Sequence, residues 1–220
     1  MASFSVNVNI TTDQGVFILV AKVDRARLIY FSDLAAAQLT RGGPLDRRIP
    51  KGAVTLARGA AEGTAAARVA AWIEANETSD PTQLTLAGLH LEHFDEIVYT
   101  YATAYAFRLK RELRGNDLRD AIYDYMHQGN LRHDDFAMII EWLAFDGGLV
   151  KTAIHEVMFR CCKGDRYVPP DMGKIKAYAK SVGLWEEMSQ VRQEIKAKMD
   201  EKDRCDEKKA AARLAKAVVG

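Results

Sequence analysis

Short apolar runs open the chain, and longer stripes at helical spacing fill the rest of it. Val16-Phe-Ile-Leu-Val20 and Leu28-Ile-Tyr-Phe31 are β-branched or aromatic runs separated by the polar stretch Lys22 to Arg27, which predicts a two-stranded hairpin between Gly15 and Ser32. Asp33 is placed to cap a helix through Leu34 to Leu39, and Gly42-Gly43-Pro44 stops it. A loop then runs to Pro50. Ala53-Val-Thr-Leu56 predicts a third strand, and Thr64 is placed to cap an alanine-rich helix reaching Trp72-Ile73. Asn76 to Pro81 breaks that helix, and Leu84-Thr-Leu86 predicts a short fourth strand.

From there the period is helical. Phe94, Ile97, Val98, Tyr101 and Tyr105 share one spacing; so do Leu118, Ile122 and Tyr125, then Phe136, Ile139, Ile140 and Leu143, then Val150, Ile154, Val157 and Cys161. These predict four amphipathic helices joined at Gly115-Asn116, Gly129-Asn130 and Gly147-Gly148, where glycine supplies the positive φ of a helix end. Asp134 or Asp135 caps the third. Lys163 to Gly173, with Pro169-Pro170, is the clearest linker. Beyond it Leu184, Met188, Val191, Ile195 and Met199 recur at spacings of four, three, four and four, a seam narrow enough to pack on one neighbour. After Met199 the seam dissolves into a charged helix extension or tail.

Composition adds little field and much core. The chain has 220 residues, 48% of them hydrophobic, with 31 lysines and arginines against 30 acids. So balanced a charge creates no global attraction to nucleic acid or anionic lipid. Three cysteines, two of them adjacent, do not form a disulfide framework. Neither a secretory start nor the roughly 20 apolar residues of a bilayer span is present. Cytoplasm or nucleus is the expected compartment.

His90, His93, His127, His133 and His155 do not stand at the spacings by which one element presents two ligands to zinc, so no metal is expected. Cys161 and Cys162 lie near the end of their helix, where the dipole opposes a thiolate. Gly42-Gly43 and Gly147-Gly148 lack a phosphate-loop frame, so no nucleotide or other cofactor is expected. The acids at Asp134-Asp135 and Glu186-Glu187 are adjacent, about 100° apart on a helix, and do not face each other. Arg108, Lys110, Arg111 and Arg114 put four cations on about two helical turns, with Arg119 beyond. Tyr99 stands off the main stripe of its helix and is the aromatic expected at the surface.

The order of elements, together with three passages, resembles the BTB/POZ fold. Val16 to Gln38 runs from a strand pair into a helix. Val54 to Trp72 runs from a strand into a helix with an apolar-aromatic end, Val69-Ala-Ala-Trp-Ile73. Phe94 to Leu109, followed by Leu113 and by Leu118-Arg-Asp-Ala-Ile-Tyr-Asp-Tyr125, is similar to fungal members of that family. The resemblance spans residues 15 to 160. Phe31-Ser-Asp-Leu34 stands where the family has a histidine, and Leu39-Thr-Arg-Gly42 where it has a phenylalanine. What the resemblance implies is a protein–protein interaction scaffold of the adaptor or dimerisation kind, and its usual dimer surface and cullin-adaptor role rest on residues this chain does not match.

The expected class is therefore α+β: a sheet of three to four strands packed with a larger helical part, and a long C-terminal helix. The expected divisions are an N-terminal segment at 1–14, an α+β domain at 15–163, a linker at 164–173 and a helical tail at 174–220. Function is expected to be non-catalytic binding of a protein partner, including a second copy of the chain, with no small-molecule substrate evident. The residues expected to meet that partner are Tyr99, Arg108, Arg111 and Arg114, and the seam residues Leu184, Met188, Val191 and Ile195. Nucleic-acid binding through Arg108 to Arg119 and an enzyme of unrecognised class are the alternatives.

Overall fold

Ser5-Val-Asn-Val-Asn-Ile alternates polar and apolar residues, and this alternation builds the central strand of the protein. The computed structural model describes residues 4–40, 52–129 and 131–219. Strand β1 (Ser5–Thr11) pairs antiparallel with β2 (Phe17–Asp24) and parallel with β3 (Ala53–Leu56), giving the order β2-β1-β3. Val6 and Val8 turn one face of β1 into the core, where Val54, Leu56 and Val23 join them. The protein is α+β, and the loop expected between Gly42 and Pro50 lies outside the described residues.

The expected hairpin is therefore displaced by one strand. Its partner for β2 is β1, while Leu28–Phe31 belongs to helix α1 (Arg25–Phe31). The reason is local: the Asp24 side chain accepts the Arg27 N–H at 3.0 Å as an N-cap, and Leu28 and Phe31 then share the buried face three residues apart. Helix α2 (Asp33–Thr40) follows, capped not by Asp33 but by the buried Ser32, whose hydroxyl accepts the Ala35 N–H at 3.0 Å and donates to the Phe107 carbonyl. In α3 (Gly63–Ala75) the cap is Glu62 rather than Thr64; its carboxylate accepts the N–H groups of Thr64 and Ala65 at 2.9 and 2.8 Å. The buried face of α3 is Ala65, Ala66, Val69, Ala70 and Ile73, small enough for the helix to lie close on β2.

No fourth strand forms among the described residues. Leu84 is buried, its N–H donating to the Leu113 carbonyl at 2.8 Å, and Thr85 instead caps the single turn α4 (Leu86–Leu89) through the Gly88 N–H. The helices that follow are α5 (Phe94–Ala106), the single turn α6 (Arg111–Arg114), α7 (Asp117–Gln128), α8 (His133–Trp142) and α9 (Gly147–Cys162). At the start of α8, the Asp135 carboxylate accepts the Arg132 N–H at 3.0 Å, and at α9 Asp146 accepts from Gly148 and Leu149. After a 3-10 turn at Asp165–Tyr167 come α10 (Met172–Ser181) and the long α11 (Trp185–Val219). No helix among the described residues is long and apolar enough to cross a membrane.

The chain divides into two compact units, one of residues 1–125 with 141–145, the other of residues 126–140 with 146–220. The first unit centres on the sheet, α1 and α3, with Phe31 fully buried edge-on against Trp72 at 5.5 Å. Within it an ion pair ties α3 to α5: Arg68 Nη2 meets Glu96 Oε1 at 2.9 Å, both side chains mostly covered. The hydrogen bond from Arg68 is the main force holding the Glu96 carboxyl below its ordinary value of 4.5. A depressed carboxylate stabilises the fold above its unfolded pKa and ceases to do so as pH falls through the folded one. Glu96→Gln should therefore lower the urea midpoint at neutral pH, and the gap from the wild type should close as pH falls below 4.5. A gap that stays constant on acidification would remove the ion pair from the account.

Candidate functional site

The seam of α11 finds its neighbour within its own unit. Met188 is fully buried and Ile195 is 6% exposed, while Leu184, Val191 and Met199 are half-buried. The helix they face is α9, whose buried side is Leu149, Ala153, Ile154, Val157 and Met158. Between the two helices the Cys162 thiol reaches the Arg192 carbonyl at 3.6 Å. Most of the seam's apolar surface is thus spent in holding α11 down. Met188 has no surface left for a partner, and Ile195 keeps only its edge on the junction.

What remains open is a trough along the α9–α11 junction. One hollow of about 430 Å³ is walled by Phe159 and Lys163 from α9 and its C-cap, and by Val191, Ile195 and Met199 from α11, with Lys198 and Lys202 at the rim. A second hollow of about 670 Å³ shares His155, Val191 and Glu194 with the first and extends to Glu156 and His127, whose imidazole lies 3.0 Å from the Glu156 carboxylate. Inside the first, the His155 ring stacks on Phe159 at 5.9 Å, and Lys163 Nζ sits 4.5 Å above the same phenyl ring. An apolar floor with cations on its edge is a surface for an amphipathic chain segment. Sequence reasoning found the α11 wall by periodicity but missed His155 and Phe159, which stand beside the predicted stripe of α9 rather than on it.

The basic run is not one helical face. Helix α5 ends at Ala106, and Arg108 takes the left-handed conformation at φ 51°. Its N–H donates to the Tyr105 carbonyl at 2.8 Å and the Leu109 N–H to the Ala104 carbonyl at 3.1 Å, the two bonds of a Schellman end. The chain then makes a bridge with Ser32 before α6 begins, so Arg108 and Arg114 belong to different elements. Two of the cations are drawn onto rings: Arg114 lies 3.9 Å over Tyr105 and Lys110 4.2 Å over Tyr30. Arg108 and Arg111 remain exposed.

Tyr99 is partly covered. Its ring is half-buried, edge-on to Trp142 at 4.9 Å, and burial, followed by the charge of Asp95, raises its hydroxyl above the ordinary tyrosine range. The cysteines occupy three different settings. Cys161 is half-buried with its thiol 3.6 Å from the Met172 sulfur, and burial pushes its pKa up; Cys162 is half-buried; Cys205 is exposed on α11. A raised thiol is a poor nucleophile at neutral pH. Among the described residues no group of three or more His, Cys, Asp or Glu stands close enough together to hold a metal ion.

Comparison with protein-family models, with curated proteins and with solved structures finds no match to this chain.

Proposed function

We infer that the chain is a non-catalytic protein–protein interaction module, of the adaptor or dimerisation kind that its BTB/POZ resemblance implies, and that it receives an amphipathic segment of a protein partner in the α9–α11 trough. The observation that carries this is the trough's makeup: Phe159, Val191 and Met199 are left half-covered along a fixed helix pair, with Lys163, Lys198 and Lys202 beside them. Half-covered aromatic and methionine side chains on a rigid platform gain area when an apolar side chain is laid on them, and the ammonium groups favour a segment with acidic residues on its flank. The nucleic-acid alternative is less favoured, because Lys110, Arg114 and Arg119 lie against tyrosine rings and the exposed Arg108 and Arg111 make a small footprint for phosphate.

The test is capture from the native cell by the full chain and by Phe159→Glu, which alters the trough floor at a half-exposed position. Proteins held by the wild type should be lost from the variant while its helical circular dichroism is unchanged. Equal capture by both would overturn the reading.

A further inference from the structure

The two edges of the sheet are treated differently. At β3 the outward backbone of Thr55 is closed by a side chain: its N–H donates to Gln38 Oε1 at 2.9 Å and its carbonyl accepts from Gln38 Nε2 at 3.1 Å. A carboxamide in that position substitutes for one residue of a neighbouring strand. At β2 only the ends are tied. Val16 is bonded back to Thr12 in the turn, and the Asp24 N–H donates to Glu74 at 2.7 Å. Between them, no described residue lies alongside the outer edge to pair with it.

That open edge is apolar on both faces. Val16, Ile18 and Leu19 are 54%, 47% and 50% exposed, and since Ile18 and Leu19 are successive strand residues they point to opposite sides of the sheet. Natural edges are usually guarded by charge or by bulges. Here both guards stand in the second half of β2: Lys22 carries the charge, and the register slips opposite Val8 and Asn9, so that Val20 is left without a partner across β1. The half from Val16 to Leu19 is unguarded.

We propose that this half-edge pairs antiparallel with the same half-edge of a second copy of the chain, across a two-fold axis at Ile18: the backbone of Val16 is turned to Thr12, so by alternation Phe17 and Leu19 present theirs to the open edge. Charge favours that sense of pairing. Residues 14 to 21 carry none, and the first charges on either side, Asp13 and Lys22, are of opposite sign. Antiparallel pairing lays Phe17 against Leu19 of the other copy and brings each Lys22 end towards the other's Asp13 end. Asp13 holds Arg58 through Oδ1 at 2.9 Å, which leaves Oδ2 for a second cation. Parallel pairing would put like charge beside like. Because the same patch serves both copies, the contact is isologous and closes at two chains.

This pairing is separate from the trough and stands or falls without it. Sedimentation of the full chain over a concentration series should show its mass rising from one chain towards two. Ile18→Lys and, independently, Val16→Lys should each remain at one chain at every concentration; both positions are about half exposed, so neither substitution opens the core. Phe159→Glu should dimerise as the wild type does. A wild type that stays at one chain throughout overturns the proposal, as does either lysine variant that still doubles. Loss of a captured protein from Val16→Lys, with a wild type that never self-associates, would assign the edge to a different strand and equally overturn it.

Discussion

Phe31→Ala should cost the first unit about 3–5 kcal/mol, the range for removing a buried phenyl ring and leaving its cavity. Phe31 is fully buried at the end of α1, edge-on to Trp72 of α3 and in ring contact with Tyr30. The neighbours that would have to collapse into the space are fixed in place by hydrogen bonds. Next to it, the Phe31 carbonyl accepts the Lys110 N–H, and Ser32 is bonded both to the start of α2 and to Phe107. So well-tethered a shell relaxes little, which places the expected cost in the upper part of the range. Urea unfolding followed by tryptophan fluorescence would read it, since Trp72 loses its ring partner in the same step. A midpoint shift equivalent to less than about 1 kcal/mol would mean the site repacks and that Phe31 is not a keystone of this unit.

Met188→Asp should release the first turns of α11 from α9. The methionine is fully buried, and a carboxylate in its place would combine the loss of apolar packing, about 2–5 kcal/mol, with the burial of a charge that has no cation supplied to it. The second unit would escape that cost by undocking the helix rather than by unfolding as a whole. Amide exchange should then become fast from Leu184 through Ile195 while α9 keeps part of its protection, and proteases should cut within that stretch. Met188→Leu, which conserves volume, should remain as resistant as the wild type. If the aspartate variant were equally resistant, the seam would not be what holds α11.

How far the sequence announces this molecule depends on which signal was available. Long helical stripes were legible, because the buried positions of α5, α8 and α9 recur at the period of the helix and aspartates mark the starts of α8 and α9. The seam of α11 was legible for the same reason, and it packs on α9. Short apolar runs were not. Leu28 to Phe31 has the composition of a strand, and only the capping by Asp24 and the burial of Leu28 with Phe31 makes it a helix. The reverse error occurred at Ser5 to Ile10, where alternation with asparagine marks a strand whose weak β-propensity hid it. Leu84 satisfies its backbone by a lone bond to Leu113, a tertiary partner no local pattern reveals. Of the candidate site, periodicity gave one wall. The setting of Tyr99 and Arg114 was not legible, because their partial cover comes from Trp142 and Tyr105, and the break between Arg108 and Arg111 comes from a helix end at a non-glycine residue.

The glutamine that closes β3 also decides what kind of assembly the sheet can join. A sheet with two open edges can accept a strand on one side and offer its other side to the next, which is the geometry of a growing fibre. With Gln38 occupying the backbone of Thr55, that position of the β3 edge has no N–H or carbonyl left for a further strand. One side chain on α2 thus takes the place of a strand residue there, and works against growth from that edge.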